Sequence, residues 1–442
     1  MIRITHLFLL IFAIDAHAGQ QVIWQEAESL ANTGGWSNDS QHVDIMGSPY
    51  LLATGVGRPV EDAVTRVKVT DADRYRLWVR CRDWFPSHSP GTFRVIVGET
   101  TSEVVFGRAG DDQWNWVDGG EFELEVGELE LRLHDTGGWW GRCDVVVLAA
   151  GEFKPAKDPE ALARQRARHA GVSPEIEDIP DSDVVVVGGG SSGLGAALAA
   201  ARHGARVTFV QDRPVLGGNA SSEIQVPPMG YGGKPPDTIN VTGIAEEIFP
   251  IQGWTSFADS ARIEEIVRAE KNISLFLSTR VTGVEMSAPD RIAAVLALDV
   301  RSGRRMRFAA PLFIDTTGHG WVGFHAGADF RMGTEARSEF GESMAPLEAN
   351  PHTMGNSLYK AVIEDVGRAD PFVLPDWAFR WEKPEDFEPL KSRIKEPIRP
   401  VEFDGVSRGK GRRPKSTTDL FLGGAYTWYV EIGGMSDTIK DA

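Results

Sequence analysis

Three glycines in the middle of the chain have the spacing of a phosphate-binding turn. Gly188, Gly190 and Gly193 form the pattern G-x-G-x-x-G. In this pattern the first glycine permits a tight turn, the second lets the backbone approach a pyrophosphate, and the third lets a helix pack closely on a strand. The spacing therefore predicts dinucleotide binding at the beginning of a helix, where free N–H groups and the helix dipole attract phosphate.

The elements that would position this turn lie on both sides of it. Residues 184–187 are all valine, which is typical of a parallel strand buried on both faces. An alanine-rich helix follows and is predicted to end near Gly204, before a second apolar strand, ARVTFV. An acidic residue that binds ribose is expected where this second strand ends, but Gln211 stands there and Asp212 follows it. We expect these two side chains to share the contact with the ribose hydroxyls.

The segment after the second strand, RPVLGGNASSEI (213–224), adds another glycine pair. With it, the chain resembles the FAD-dependent oxidoreductases of the glutathione-reductase-like superfamily, and especially a secreted bacterial family of that type. Segments 264–285 and 313–333 extend the resemblance, the second being similar to a motif that is usually DxTGDG. The resemblance implies FAD and an α/β Rossmann-like domain of the glutathione-reductase type over residues 183–442. The implied cofactor-binding residues are Gly188, Gly190, Ser192, Gly193, Gln211, Asp212, Arg213, Gly217, Gly218, Asn219, Val281, Thr317, Gly318 and Gly320.

A flavoenzyme that oxidises an alcohol needs a base within hydrogen-bonding reach of the leaving proton. The candidates are His319, which stands where the motif usually has aspartate, together with His325 and His352. Each histidine is equally open to a structural role in packing or at the surface. No Ser-His-Asp or metal-ligand spacing indicates a hydrolase. The catalytic base and the electron acceptor are therefore left unassigned.

Residues 19–150 have a different pattern, in which apolar and polar residues alternate. VTRVKV (64–69), YRLWVR (75–80) and LELRL (129–133) are separated by Gly, Asp and Pro turns. The alternation predicts an all-β jelly-roll sandwich ahead of the α/β domain. Eight of the thirteen tryptophans lie in this region. These tryptophans either fill the core or stack on sugar rings, whose apolar faces complement aromatic rings.

Parts of this region resemble jelly-roll carbohydrate-binding modules, namely IWQEAESL (23–30), GGW (34–36) and GRCDVVVL (141–148). The resemblance implies a carbohydrate partner and a structural calcium ion held by Glu26, Glu28 and Asp144. Residues 151–182 are predicted to be a linker that contains one short helix.

The first 18 residues have the layout of a secretory signal peptide, with Arg3, an apolar run and a small-x-small triplet that ends at Ala18. We expect cleavage after Ala18 and a secreted or periplasmic protein without a transmembrane segment. An uncleaved membrane anchor is the alternative. Cys81 and Cys143 are the two cysteines, and in an exported chain they form either a disulfide or two buried thiols.

The net charge of −17 and the lack of a long basic run exclude nucleic acid as a partner. The last segment, TWYVEIGGMSDTIKDA, resembles one from the middle of the family's domain, so the domain is expected to be incomplete at its C-terminus. The sequence predicts an exported FAD-dependent oxidoreductase that acts on a carbohydrate or a sugar-derived alcohol. One alternative is a glycan-binding or surface-attachment protein with a degenerate or truncated flavoprotein scaffold. Another is flavin-dependent elimination or glycoside cleavage of a polysaccharide through transient oxidation.

Overall fold

A computed structural model describes residues 21–40, 42–55, 57–224, 226, 228, 231–232, 239–240, 242–250, 259–331, 333–350, 360–364, 374–378 and 417–421. The signal peptide and its cleavage site, His352 and the C-terminal segment lie outside these residues. The chain divides into two compact units, Met1–Asp39 with Pro49–Gly171 and Ser40–Ser48 with Val172–Ala442. A one-turn helix, α1 (Val43–Met46), falls in the second unit.

The first unit is rich in antiparallel strands because its sequence alternates between apolar and polar residues. In residues 63–69, for example, every second side chain is buried in the core. The strands are β1 (Val22–Glu26), β2 (Trp36–Asp39), β3 (Tyr50–Ala53), β4 (Ala63–Val69), β5 (Asp73–Arg82), β6 (Phe93–Val97), β7 (Thr100–Thr101), β8 (Trp114–Leu124), β9 (Gly127–Asp135) and β10 (Arg142–Ala150).

These strands form two sheets that share one hydrophobic core. One sheet has the order β2-β3-β10-β5-β8, with β1 also paired to β10, and the other has the order β4-β9-β6-β7. Leu51, Val79 and Leu148 of the first sheet are buried together with Val67 and Leu133 of the second. The prediction of a β-rich region is therefore confirmed, whereas the jelly-roll connection stays a prediction.

Helix α2 (Pro159–His169) belongs to the first unit and not to a separate linker. The Asp158 side chain caps it by accepting from the Ala161 N–H at 2.9 Å. Leu162 is buried among apolar side chains of β1 and β10. The remainder of the predicted linker contains β11 (Ile176–Ile179), which joins a sheet of the second unit. The two halves of the predicted linker are thus parts of the two units.

The second unit alternates strands and helices. Its further elements are β12 (Val184–Val187), α3 (Ser191–Arg202), β13 (Val207–Val210), β14 (Tyr231–Gly232), β15 (Ile239–Asn240), α4 (Ile244–Ile248), α5 (Ser260–Ala269), β16 (Ile273–Phe276), β17 (Thr279–Ala288), β18 (Arg291–Asp299), β19 (Arg305–Ala309), β20 (Leu312–Asp315), α6 (Trp321–His325), α7 (Arg337–Phe340), β21 (Lys360–Glu364) and β22 (Thr417–Phe421).

A four-stranded parallel sheet with the order β16-β13-β12-β20 forms the centre of this unit. The four valines of β12 are all buried, and they alternate between two cores. One core contains α3 and α5, and the other contains the antiparallel strands β17, β18 and β19. The register places Phe276, Val210, Val187 and Asp315 side by side at the carboxyl ends of the strands. The loops that follow these four residues therefore begin at the same edge of the sheet.

No helix among the described residues has the length and apolar character needed to cross a membrane.

Candidate cofactor-binding site

The turn between β12 and α3 contains two glycines that the surrounding backbone requires. Gly188 has φ +104°, and a Cβ atom there would lie 2.3 Å from the Thr316 carbonyl oxygen. A Cβ atom at Gly193 would lie 1.8 Å from the Gly188 carbonyl oxygen. A larger residue at Gly193 would push α3 away from the turn after β12, and one at Gly188 would collide with the backbone that follows β20, so both glycines serve close packing.

Gly190 has a different environment, because a Cβ atom there would have no protein atom closer than 3.9 Å. It stands at the N-cap of α3, which spans twelve residues and has neither a side-chain cap nor an acidic residue in its first turn. Ser192, in that first turn, is exposed. Space beside Gly190 and uncapped N–H groups are what a bound pyrophosphate needs. The residues present therefore fit a dinucleotide phosphate.

The second glycine pair packs directly on this turn. The Gly217 N–H donates to the Gly189 carbonyl at 2.9 Å. Gly218 has φ +57°, and a Cβ atom there would lie 2.9 Å from the Cα atom of Gly190. Asn219, the next residue, is exposed. The LGGN segment is thus held beside the glycine turn, as the resemblance implies.

Gln211 differs from its predicted role. Its side chain is only 4% exposed at the end of β13. Its Oε1 atom accepts from the Gly189 N–H at 2.6 Å, and its Nε2 atom donates to the Val215 carbonyl at 3.2 Å. The oxygen and the nitrogen of the side-chain amide therefore join the two glycine loops, in contrast to the predicted contact with ribose.

Asp212 is half-buried beside Gln211 and makes no hydrogen bond to the described part of the chain. A carboxylate without a protein partner at this edge is suited to accept hydrogen bonds from ribose hydroxyls. Arg213, by contrast, is exposed and forms an ion pair with Glu223 at 3.0 Å. Of the residues predicted after β13, Asp212 is the better placed for a ribose.

The third motif follows β20 and is tied to the first. Thr316, which is not among the residues predicted from the sequence, donates through its hydroxyl to Val187 or Gly188, whose carbonyls lie at 2.7 and 2.8 Å. The Asp315 carboxylate accepts from the N–H of Thr317 at 3.0 Å and organises the turn. The segment DTTG (315–318) indicates such a turn in the sequence, because short hydroxyl and carboxylate side chains commonly organise turns.

The rest of this turn places the predicted residues at the surface. Gly318 has φ +81° and Gly320 has φ +66°, a conformation that favours glycine. His319 lies between them and is exposed. His325, at the end of α6, packs its ring edge-on against Trp321 with the centroids 4.7 Å apart. No described contact joins either histidine to the glycine turn, so neither is assigned as the base.

Val281, predicted as a cofactor contact, uses its side chain and its carbonyl oxygen within the protein. Its side chain is buried in the core between the parallel sheet and the antiparallel strands. Its carbonyl oxygen accepts from the Trp321 indole N–H at 2.9 Å. Val281 therefore packs the core, and its carbonyl is already bonded to a side chain of α6.

The neighbours of the three carboxylates do not support the calcium prediction for the first unit. Arg166 of α2 lies between two of them and donates to Glu26 and Asp144 at 2.8 Å each. The described residues contain no group of three or more His, Cys, Asp or Glu side chains arranged to hold a metal ion. A guanidinium group, which the sequence did not indicate, stands where the cation was expected.

The two cysteines are paired in register on the adjacent strands β5 and β10, and both are free buried thiols. The tryptophans divide into two groups. Trp24 and Trp36 are buried, whereas Trp84, Trp139 and Trp140 are partly exposed and in contact with one another.

Comparison with known proteins gives partial likenesses. A soluble pyridine nucleotide transhydrogenase of Marinobacter nauticus is 54% identical over 39 residues, which are 9% of this chain and 8% of that protein. This chain therefore matches only a small part of the relative's length. A GH26-CBM35 β-(1,4)-mannanase of Podospora anserina has 18% identity and a TM-score of 0.25, covering 44% of this chain and 51% of its own. An L-proline dehydrogenase from P. horikoshii has 21% identity and a TM-score of 0.22, covering 33% and 24%.

A family model gives the wider match. The model described as FAD dependent oxidoreductase matches residues 183–422, more than half of the 442 residues. The match begins just before β12 and includes the glycine turn, the LGGN segment and the motif after β20. The chain belongs to the FAD-dependent oxidoreductase family.

Proposed function

We propose that this FAD-dependent oxidoreductase is exported and oxidises a carbohydrate or a sugar-derived alcohol. FAD, when bound, supplies the redox chemistry, and the protein supplies binding and orientation. The first turn of α3 would hold the pyrophosphate beside Gly190, and Asp212 would accept hydrogen bonds from the ribose. No residue is assigned to hold the substrate or to remove its proton.

The observation that carries the carbohydrate proposal is a group of aromatic rings on two loops of the first unit. The aromatic loop cluster consists of Trp84 and Phe85 after β5, and Trp139 and Trp140 before β10. The Trp84 and Trp140 rings lie 5.2 Å apart, and the Trp139 and Trp140 rings 5.6 Å apart. Partly exposed rings of this kind offer flat apolar faces to the C–H faces of sugars.

Trp140 gives this cluster a further mark of a binding surface. Its φ of +57° is rare for a bulky residue and costs about 1–3 kcal/mol, a strain that is concentrated at functional sites. Arg142 fixes the loop, because its Nη1 atom donates to the Trp140 carbonyl at 2.9 Å and its guanidinium lies 5.4 Å from the Trp84 ring centre. Its Nε atom is buried and has no partner among the described residues. A polar group of the ligand would be able to satisfy such a donor.

The enzymatic part of the proposal is tested with the full chain loaded with FAD. Under anaerobic conditions the protein is mixed with a panel of neutral sugars, sugar alcohols and uronic acids. The proposal expects at least one of them to bleach the flavin absorbance and to yield an oxidised product. A flavin that stays oxidised throughout overturns the substrate class. An unsaturated or cleaved product without net oxidation would instead identify elimination.

The binding part is tested separately with oligosaccharide titrations. Trp140→Ala is expected to weaken binding by more than about tenfold, or 1.4 kcal/mol, through loss of a stacking ring. Trp78→Ala is the matched control, since Trp78 is a partly exposed tryptophan on β5 outside the aromatic loop cluster. Equal losses in both variants would count against the cluster. Export is tested by N-terminal sequencing of secreted protein, which should begin at residue 19.

A further inference from the structure

We propose that the Arg166 guanidinium is a built-in cation in the first unit, so that helix α2, and not a metal ion, neutralises the Glu26–Asp144 carboxylate cluster. Arg166 is 7% exposed, Glu26 is 7% exposed and Asp144 is fully buried. The carboxylate cluster is defined by Glu26, Glu28 and Asp144. The proposal is independent of the enzyme's substrate.

The Arg166 guanidinium contacts both Glu26 and Asp144. Its Nε atom donates to Glu26 Oε1 at 2.8 Å, and its Nη2 atom lies 2.8 Å from both carboxylate oxygens of Asp144. Arg80 adds a second cation, with its Nη1 atom 2.7 Å from Asp144 Oδ2. Charge-assisted bonds of this length are the strong class of protein hydrogen bonds.

A calcium ion does not fit among these contacts. Calcium requires six to eight oxygen ligands at 2.3–2.6 Å, and a guanidinium supplies only N–H donors. The ion would have to displace Arg166 from Glu26 and Asp144. The displaced guanidinium would then be buried without its carboxylate partners, which is strongly unfavourable.

Two oxygen atoms of the cluster lie outside the contacts with Arg166. Glu26 Oε2 and Glu28 Oε2 are buried and have no hydrogen-bond partner among the described residues. Burial, together with the charges of Glu26 and Asp144, raises the pKa of Glu28 well above its ordinary value. Glu26 and Asp144 together contact two guanidiniums, those of Arg166 and Arg80. Removal of Arg166 would leave an excess of negative charge and free oxygens.

Helix α2 brings Arg166 to this position by ordinary helix geometry. Leu162 and Arg166 are four residues apart, so they lie on the same face of the helix. Leu162 is packed against β1 and β10. Gln165 fixes the preceding segment, since its Oε1 atom accepts from the Ala156 N–H at 2.8 Å and its Nε2 atom donates to the Lys154 carbonyl at 3.0 Å. Docking of the helix and neutralisation of the cluster therefore occur together.

Terbium luminescence on the full chain tests the proposal, with Tb³⁺ as the probe for a calcium site. The Trp24 indole N–H donates to Glu26 Oε1 at 2.8 Å, so terbium bound to the cluster would be sensitised by this tryptophan. The wild type is expected to show no saturable emission that calcium displaces. Arg166→Gln is expected to gain such emission, and calcium should raise its melting temperature. Arg164→Gln, an exposed position on the same helix, is the matched control and should behave as the wild type.

Two results would overturn the proposal. One is calcium-displaceable terbium emission in the wild type, or a wild-type melting temperature that falls when a chelator is added. The other is a folded Arg166→Gln protein that binds neither terbium nor calcium. If Arg166→Gln fails to fold, the wild-type measurement and Arg166→Lys decide, because Lys keeps the positive charge and should remain indifferent to calcium.

Discussion

Replacing Gly190 by alanine should separate cofactor binding from folding. The backbone at Gly190, with φ −74° and ψ −175°, is open to alanine, and the added Cβ atom would have no protein atom closer than 3.9 Å. Without cofactor, Gly190→Ala should stay within about 1 kcal/mol of the wild-type stability, because alanine restricts the unfolded chain but is a poorer N-cap residue than glycine. The new methyl group occupies the space through which a pyrophosphate approaches. We therefore expect FAD affinity to fall by at least about tenfold, or 1.4 kcal/mol.

Two neighbouring glycines provide the comparison. At Gly193 a Cβ atom would lie 1.8 Å from the Gly188 carbonyl oxygen, whereas real Cβ atoms stay beyond 3.0 Å, so helix and strand must separate by about 1.2 Å. Gly193→Ala should cost about 1–3 kcal/mol or more, as overpacking does. Gly195 lies in the same helix with nothing within 4 Å of an added Cβ atom. Gly195→Ala should stabilise the protein by about 1 kcal/mol and leave FAD affinity unchanged.

The assay measures two quantities on each variant. Denaturant unfolding of the protein freed of flavin gives the free energy of unfolding, and quenching of flavin fluorescence during titration gives the dissociation constant. If Gly190→Ala binds FAD as tightly as the wild type, the assignment of the pyrophosphate to this turn is wrong. If Gly193→Ala unfolds at the same denaturant concentration as the wild type, the packing described for the turn is wrong.

Three further outcomes follow from the same structure. Asp212→Asn should weaken FAD binding several-fold in flavin titrations while leaving the melting temperature unchanged, and an unchanged affinity would remove Asp212 from the ribose contact. Gln211→Glu should destabilise the second unit by about 1–3 kcal/mol in denaturant unfolding, because a carboxylate oxygen would replace the amide that now donates to Val215, and equal stability would contradict that pairing. Burial raises the pKa of Cys81 to about 12 and the pKa of Cys143 well above its ordinary value, so neither thiol should react with thiol reagents at pH 8 in the native protein. Both should react after denaturation, and their failure to do so would reveal a disulfide.

Much of the second unit was predictable because its signals are local. The spacing of Gly188, Gly190 and Gly193 specifies a backbone turn, and the valines of residues 184–187 specify a strand buried on both faces. The alternation in residues 19–150 likewise predicts antiparallel strands with one buried face. The residues that define each of these features are close together in the chain, so the sequence pattern predicts the feature without knowledge of the fold.

The roles of single side chains were less accessible, because they depend on partners that are distant in sequence. Gln211 has the position of a ribose ligand, but its amide bonds to Gly189, 22 residues away. Thr316 reaches the Gly188 carbonyl across 128 residues. No local pattern distinguishes a side chain that contacts a ligand from one that joins two loops.

In the first unit, too, the elements were predictable but the contact between them was not. Local patterns predicted a β-rich region that contains Glu26 and Asp144, and they predicted the short helix that contains Arg166. Their contact depends on the complete fold, since Arg166 and Glu26 are 140 residues apart. A buried carboxylate must be neutralised, but a metal ion and a guanidinium do so equally well in principle. Which of the two is used depends on where α2 docks, and that is determined by packing across the whole unit.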